Sequence, residues 1–336
     1  MSMSCQVLIH GVGVEVSSSS LILLDPIRRF FRYFPLLPEG HPISIRMEVT
    51  AISSLEEVPC TARSSKGGKV SSQSGWTRGD EKRREWHCDI YIEPDRLVLD
   101  YHAQGLSAVD FHNRRASIYL IDPEAMHEDV RIAFVHESLI QLLKREGLYT
   151  LHATALEKDG QGILIPGCSG RGKTTAFIAL LRSGFRCISD DHPLLHEKDG
   201  KLELLAFQEK VDITDQSVRF FPELVNANPG LLYQGVLKKY FFVEDVYPNS
   251  IAHVCQPRLL FFPQVIDSSH SLLEPFPRAR ALEELLPETL AVHDKAAAKR
   301  EFQFLSRMVQ ELDCYLLYFG HDVLDLPSLV LPLLKA

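Results

Sequence analysis

Apolar and polar positions alternate along residues 5–16 (CQVLIHGVGVEV) and again along 42–51 (PISIRMEVTA). That period of two is the signature of a half-buried strand. Between them, LLDPIRRFFRYFPLLP reads as a short helix or turn closed by prolines. Strand patterns return over 88–120 as CDIYIEP, DRLVLDYHA, SAVDFHN and RASIYLID, separated by turn residues. Residues 1–122 therefore predict a small β-rich N-terminal domain.

The period changes at HEDVRIAFVHESLIQLLKREG. Val130, Phe134, Leu139, Leu142 and Leu143 share one helical face, with Glu128 and Asp129 in the first turn and Lys144 and Arg145 in the last. Acidic starts and basic ends suit the helix dipole, and Gly147 suits a left-handed cap. A domain boundary is expected just before this helix, so that 123–336 form a second domain. There the order is strand (GILIP), loop (GCSGRGKT), helix (TAFIALLRS) and strand (FRCIS), a βαβ unit of the α/β class. Further along, 256–266 reads as a buried strand, 279–286 and 293–311 as helices, DCYLLYFG as a late strand, and 322–335 as a terminal helix or turn.

Residues 61–85 break the pattern. TARSSKGGKVSSQSGWTRGDEKRRE has seven basic and three acidic residues and almost nothing to bury. Its composition predicts a long mobile loop. Two roles suit such a loop, a solvated insertion or a basic flap over phosphate or an acidic partner.

Composition narrows the function classes. With 336 residues, 45% apolar and 24% charged, the chain has the ordinary balance of a globular protein with one or two domains. A net charge of −8 gives no global basic field, so nucleic acid is not an expected partner. The seven cysteines include no CxxC pair, which argues against a disulfide framework or a zinc cluster. No apolar run is long enough to span a bilayer, and the N-terminus lacks the basic region of a signal peptide. The expectation is a cytoplasmic protein with no membrane partner; homo-oligomerisation is left open.

The chemistry concentrates in the second domain. Gly167-Cys168-Ser169-Gly170-Arg171-Gly172-Lys173-Thr174 matches GxxxxGK[ST] in full, with Thr175 continuing into the helix. Glycines let the backbone wrap close to phosphate oxygens, and successive N–H groups then face the anion. The helix beginning near Lys173 adds its positive end. Lys173 would charge-pair with the β- and γ-phosphates, and the Thr174 hydroxyl would ligate Mg²⁺. Arg171 could touch phosphate or face solvent, the latter being favoured. The implied ligand is ATP with Mg²⁺.

The strand FRCIS ends in Asp190-Asp191. Ligands in α/β sheets bind at the carboxyl ends of strands, where the phosphate loop also begins. Phosphoryl transfer needs a carboxylate for Mg²⁺ and, in kinases, one for the attacking hydroxyl. The adjacent aspartates can divide these roles, although a polar turn after a strand would read the same. His152, in LHATAL, reads by itself as a packed or surface histidine.

The stretch LHATALEKDGQGILIPGCSGRGKTTAFIALLRSGFRCISDDHPLL resembles the kinase domain of the HPr kinase/phosphorylase family and its paralogues. The shared elements are His152, Gly167 to Thr174, Gly184 and Asp190-Asp191. The resemblance covers about 45 residues closely and extends loosely to CYLLYFGHDVLDLP. It implies a fold related to phosphoenolpyruvate carboxykinase and an ATP-dependent kinase acting on a serine or threonine hydroxyl of a protein or peptide. It also raises His152 to an active-site residue, with Asp190 as base and Asp191 as Mg²⁺ ligand, or the reverse. No segment resembling the bifunctional enzymes' RGLGI follows Asp191, so neither phosphorolysis nor HPr as substrate is expected. The N-terminal region looks more like the paralogues, some of which accompany peptide modification. A nucleotide-binding accessory protein and a kinase of free serine remain competing readings.

Overall fold

The computed structural model describes residues 3–334 apart from 64–68, 78–83, 94, 169, 234–235 and 290–294. It is a mixed α/β structure with several sheets, in two compact units. One comprises Met1–Glu146 with Leu232–Gln234, the other Gly147–Leu231 with Gly235–Ala336. Among the described residues, no helix is long and apolar enough to cross a membrane.

The first unit is built on an eight-stranded sheet. Strands β1 (Met3–Ile9) and β2 (Val12–Ser18) form a hairpin, where the sequence pattern had suggested one strand. His10 and Gly11 make its two-residue turn at φ 45° and 90°. Both angles are positive, as the tight hairpin turn that follows strand twist requires. Helix α1 (Leu21–Phe30) leads to β3 (Ile45–Ile52), which runs parallel to β2. Then come β4 (Lys69–Thr77), β5 (Arg84–Glu93), β6 (Arg96–Asp100), β7 (Gly105–Asp110) and β8 (Arg115–Ile121). The sheet order is β1-β2-β3-β8-β7-β6-β5-β4.

Two expectations change here. The segment read as a mobile loop contains β4 and the start of β5, paired antiparallel at the sheet edge from Lys69↔Tyr91 to Thr77↔Arg84. An edge strand needs backbone pairing rather than buried side chains, so its polar composition hides it. Residues 64–68 and 78–83 of that segment lie outside the described residues. The helix over 128–143, expected in the second domain, is α2 (Glu128–Leu143) and packs on α1, β7 and β8. The first unit accordingly ends at Glu146 rather than at residue 122. A helix pattern tells which face is apolar but not which sheet it covers.

The second unit carries β9 (Tyr149–Thr150), β10 (Ala153–Lys158), β11 (Gln161–Pro166), α3 (Lys173–Arg182) and β12 (Arg186–Ser189). The hairpin β13 (Leu194–Lys198) and β14 (Lys201–Leu205) follows. A separate three-stranded sheet holds β15 (Val211–Thr214), β16 (Asn228–Tyr233) and β17 (Val236–Phe241), with the short helices α4 (Asp215–Phe220) and α5 (Val243–Val246). The chain closes with β18 (Val254–Val265), β19 (Leu272–Pro275), α6 (Arg278–Leu285), α7 (Lys295–Glu311), β20 (Asp313–Phe319) and α8 (Leu326–Leu334).

The main sheet is mixed rather than purely parallel. β11 and β12 point the same way but are not neighbours, because β10 lies between them antiparallel to both. On its other side β11 pairs parallel with β18, which pairs parallel with β20. Both faces of this sheet are covered. Ile163 and Ile165 of β11 pack in one cluster with Phe177, Ile178 and Leu180 of α3 and Val330 of α8. Leu164, between them, packs in the other with Leu285 of α6 and Leu305 and Met308 of α7. Double coverage explains why GILIP reads as an unbroken apolar run. Each such large side chain, fully buried, contributes about 1.5–3 kcal/mol.

Candidate functional site

Strand direction alone brings the site together. The carboxyl ends of β11 and β12 lie at one edge of the sheet, and β10, being antiparallel, begins there. Its first residue, Ala153, faces Pro166 of β11 in the register, and Ala155 faces Ser189 of β12. His152 before β10, Gly167 after β11 and Asp190-Asp191 after β12 are therefore at the same edge.

The loop from Gly167 joins β11 to α3. Gly167, Gly170 and Gly172 all take positive φ, at 137°, 89° and 91°. A side chain is strained at such angles. At Gly172 a Cβ would also meet the Phe319 ring at 2.9 Å. Cys168 is exposed, and Ser169 lies outside the described residues. Arg171 turns away to pair with Glu284 at 3.0 Å, both side chains substantially exposed. Thr174 and Thr175 occupy the first turn of α3 and are half-buried.

Lys173 is 8% exposed, an uncommon place for an ammonium. It donates to the Gly167 carbonyl and lies 3.2 Å from Nε2 of His152. Burial lowers its pKa, and the charges of Asp191, Asp190 and Glu288 oppose that shift.

His152 is the hub. Nδ1 lies 3.0 Å from Oε2 of Glu288, and Nε2 lies 3.0 Å from Oδ1 of Asp191. One imidazole nitrogen thus separates the loop lysine from the second aspartate. The backbone repeats the link, His152 N–H donating to the Glu288 carbonyl at 2.7 Å and Ala153 N–H to the Asp191 carbonyl at 2.9 Å. Next to it, the Thr154 hydroxyl donates to the Asp190 carbonyl at 2.7 Å and stands 3.2 Å from Asp190 Oδ1. The His192 ring stacks on that of His152, with centroids 6.1 Å apart.

The two aspartates are driven apart electrostatically. Burial, and then the neighbouring Asp191, push the Asp190 carboxyl up to about 7. Desolvation pushes Asp191 up too, although its side chain is 48% exposed, and the charge of His192, the hydrogen bond and charge of His152, and Lys173 outweigh it and hold Asp191 well below the usual range. Like-charged neighbours that share a site commonly split in this way.

The edge therefore gathers His152, the described part of the Gly167–Thr175 segment, Asp190 and Asp191. Sequence reasoning missed Glu288 and Thr154. Thr154 alternates along β10 and looked like any strand position. Glu288 arrives from 136 residues away, on a short turn after α6 within LLPETL, and belongs to no recognisable motif. The Arg171–Glu284 contact was likewise not visible.

No protein-family model matches the chain, and none of the curated proteins matches it. Among solved structures it is similar to the Hpr(Ser) kinase/phosphatase from Coxiella burnetii, at 15% sequence identity and a TM-score of 0.28, over 55% of this chain and 93% of that one. A likeness of that size assigns neither a family nor an activity to this chain.

Proposed function

We propose that this protein is an ATP-dependent kinase that transfers the γ-phosphoryl group to a serine or threonine hydroxyl of a protein or peptide. The observation that carries the reading is the meeting of Lys173, His152 and Asp191 at the strand edge where the glycine loop turns into α3.

The residues present fit the ligands this implies. Gly167, Gly170 and Gly172 take positive φ, and at Gly170 nothing lies within 4 Å of where a Cβ would stand, which leaves room for a phosphate oxygen against the backbone. A largely desolvated lysine is a strong fixed charge for a polyanion. Hydroxyl and carboxylate oxygens are the donors that Mg²⁺ prefers, so Thr174 and Asp191 are the residues to hold it. When bound, the metal would neutralise charge on the β- and γ-phosphates.

The transfer is a displacement at phosphorus. The acceptor hydroxyl oxygen bonds to the γ-phosphorus, the bond from that phosphorus to the β,γ-bridging oxygen breaks, and ADP leaves. The hydroxyl proton passes to a base. Asp190 suits that role, because a carboxyl poised near 7 can take a proton and release it at the same pH. Asp191, held anionic by the surrounding cations, suits a metal. His152 keeps Asp191 and Lys173 in register.

The test is an assay with γ-labelled ATP, offering serine-bearing peptides and proteins together with free serine in a parallel reaction. Label in a peptide or protein acceptor supports the proposal. Label in free serine alone would make the protein a small-molecule kinase, and slow release of phosphate with no labelled acceptor would make it a nucleotide-hydrolysing accessory protein.

A further inference from the structure

Glu288 has no part in the phosphate motif, yet its carboxylate stands as close to the central histidine as that of Asp191 does. Its carboxylate is 11% exposed and reaches Nδ1 of His152 at 3.0 Å. The two chain segments are tied twice more, by the 2.7 Å hydrogen bond from His152 N–H to the Glu288 carbonyl and by a bridge between Leu151 and Thr289. The carboxylate is thus delivered by backbone pairing rather than by a swinging side chain.

The other face of the ring shows why this matters. Nε2 lies 3.2 Å from the Lys173 ammonium, which can only donate, and 3.0 Å from the Asp191 carboxylate, which when ionised can only accept. A single ring nitrogen cannot serve both at once. In the neutral ring protonated on Nδ1, Nε2 accepts from Lys173. In the doubly protonated ring, Nε2–H donates to Asp191. Both arrangements require a proton on Nδ1, and Glu288 is the acceptor that holds it there. The remaining tautomer, with Nε2 alone protonated, would turn a donor towards Lys173 and leave Nδ1 and the Glu288 carboxylate as two acceptors face to face.

We propose that Glu288 is a positioning residue that keeps His152 protonated on Nδ1, reserving Nε2 for Lys173 and Asp191. In this role it acts through His152, to which its carboxylate is bonded, rather than on nucleotide or acceptor. For its effect on rate, the inference rests on the kinase reading above. For its effect on the ring, it rests on the hydrogen bond alone, and the experiment separates the two.

Full-length protein labelled with ¹⁵N-histidine is compared with its Glu288→Ala variant, the His152 signals being assigned by their loss in His152→Gln. In the wild type, Nδ1 of His152 should be protonated throughout neutral and alkaline buffer. In Glu288→Ala, the tautomer protonated on Nε2 should appear in alkaline buffer. Should the alanine variant fail to fold, Glu288→Met fills a similar volume without an acceptor and carries the same expectation.

In transfer assays, Glu288→Ala should lower kcat about 10- to 100-fold, the usual cost of removing the partner that orients a working histidine, with the KM for ATP within about twofold. Glu288→Gln keeps an acceptor oxygen and should recover most of the rate. In a His152→Ala background, Glu288→Ala should cost less than about twofold more, since the residue it orients is gone. An unprotonated Nδ1 in the wild type, an unchanged tautomer in both Glu288→Ala and Glu288→Met, or an equal loss in the His152→Ala background would overturn the proposal. A tautomer shift in a protein that transfers no phosphoryl group would keep the positioning claim and sink the kinase reading.

Discussion

The arginine pairs of the first unit and the strand-end cluster of the second arrange charge differently. In the first unit several arginines pair with carboxylates at the surface, as Arg280–Glu283 and Arg307–Glu311 also do in the second, although Lys144 of the first unit is buried. Arg114 meets Glu146 at 2.8 Å, Arg29 meets Glu128 at 2.6 Å, and Arg46 lies 3.5 Å from Glu15. Arg46, Arg114 and Arg145 also line an open cavity of about 710 Å³, where the Arg145 guanidinium stacks on Phe111 at 3.8 Å. Such pairs in water contribute about 0–1 kcal/mol each. In the second unit, an ammonium, an imidazole and three carboxylates converge at the edge of a doubly covered sheet, and the aspartates are pushed in opposite directions. Concentrating partly buried charge is costly to a fold. It appears where β10 reverses direction between β11 and β12, which is where strand ends can present several polar side chains together.

The largest effect expected from this contrast is at Asp190. Asp190→Asn should leave ATP binding within a few-fold and reduce transfer by about 10²–10⁴, the usual span for loss of a general base. The pH profile sharpens it. A base must be deprotonated to work, so with its carboxyl pushed up to about 7, transfer should rise with pH through about 7. That rise should vanish in the residual activity of the variant. Collapse of nucleotide binding that added Mg²⁺ restores would instead assign Asp190 to the metal and Asp191 to the base.

Gly172→Ala comes next. A φ of 91° and a Cβ only 2.9 Å from the Phe319 ring both oppose the substitution. Backbone strain of this kind costs about 1–3 kcal/mol, which thermal unfolding would register, and nucleotide affinity should fall with it. An unchanged melting temperature would show that the loop adopts another path.

A smaller change should follow removal of residues 64–83. A disordered insertion would be lost without consequence, whereas pairing of β4 with β5 predicts a lower melting temperature and a newly exposed edge on β5. An identical melting temperature and association state would favour the insertion. The smallest effect belongs to the first unit. Arg114→Ala should alter stability by less than about 1 kcal/mol and leave transfer unchanged; a loss of activity there would break the contrast between the units.

Much of this arrangement was legible in the sequence, and the remainder was hidden for identifiable reasons. The strand–loop–helix around Gly167 to Thr174 is local, since each residue type is set by backbone geometry within a dozen positions. β18, α6, α7 and β20 were readable from apolar runs and periodicity. The β4–β5 hairpin was hidden because its stability comes from backbone pairing, which composition does not report. The allegiance of α2 was hidden because an amphipathic face does not name its partner. Asp190 and Asp191 were visible as a pair at a strand end. Their division and the role of Glu288 depend on the antiparallel insertion of β10 and on a contact 136 residues apart, which no local pattern encodes.

The central claim, that the β11–α3 edge binds a nucleoside triphosphate, is tested most directly by calorimetric titration of the full-length protein with Mg·ATP, beside Lys173→Ala. The wild type should bind one ATP per chain. The variant should fold, since Lys173 forms part of no apolar cluster, and should lose at least about tenfold in affinity, equivalent to about 1.4 kcal/mol, because the fixed charge facing the phosphates is gone. Equal affinity in the folded variant, or no binding to the wild type, would contradict the account.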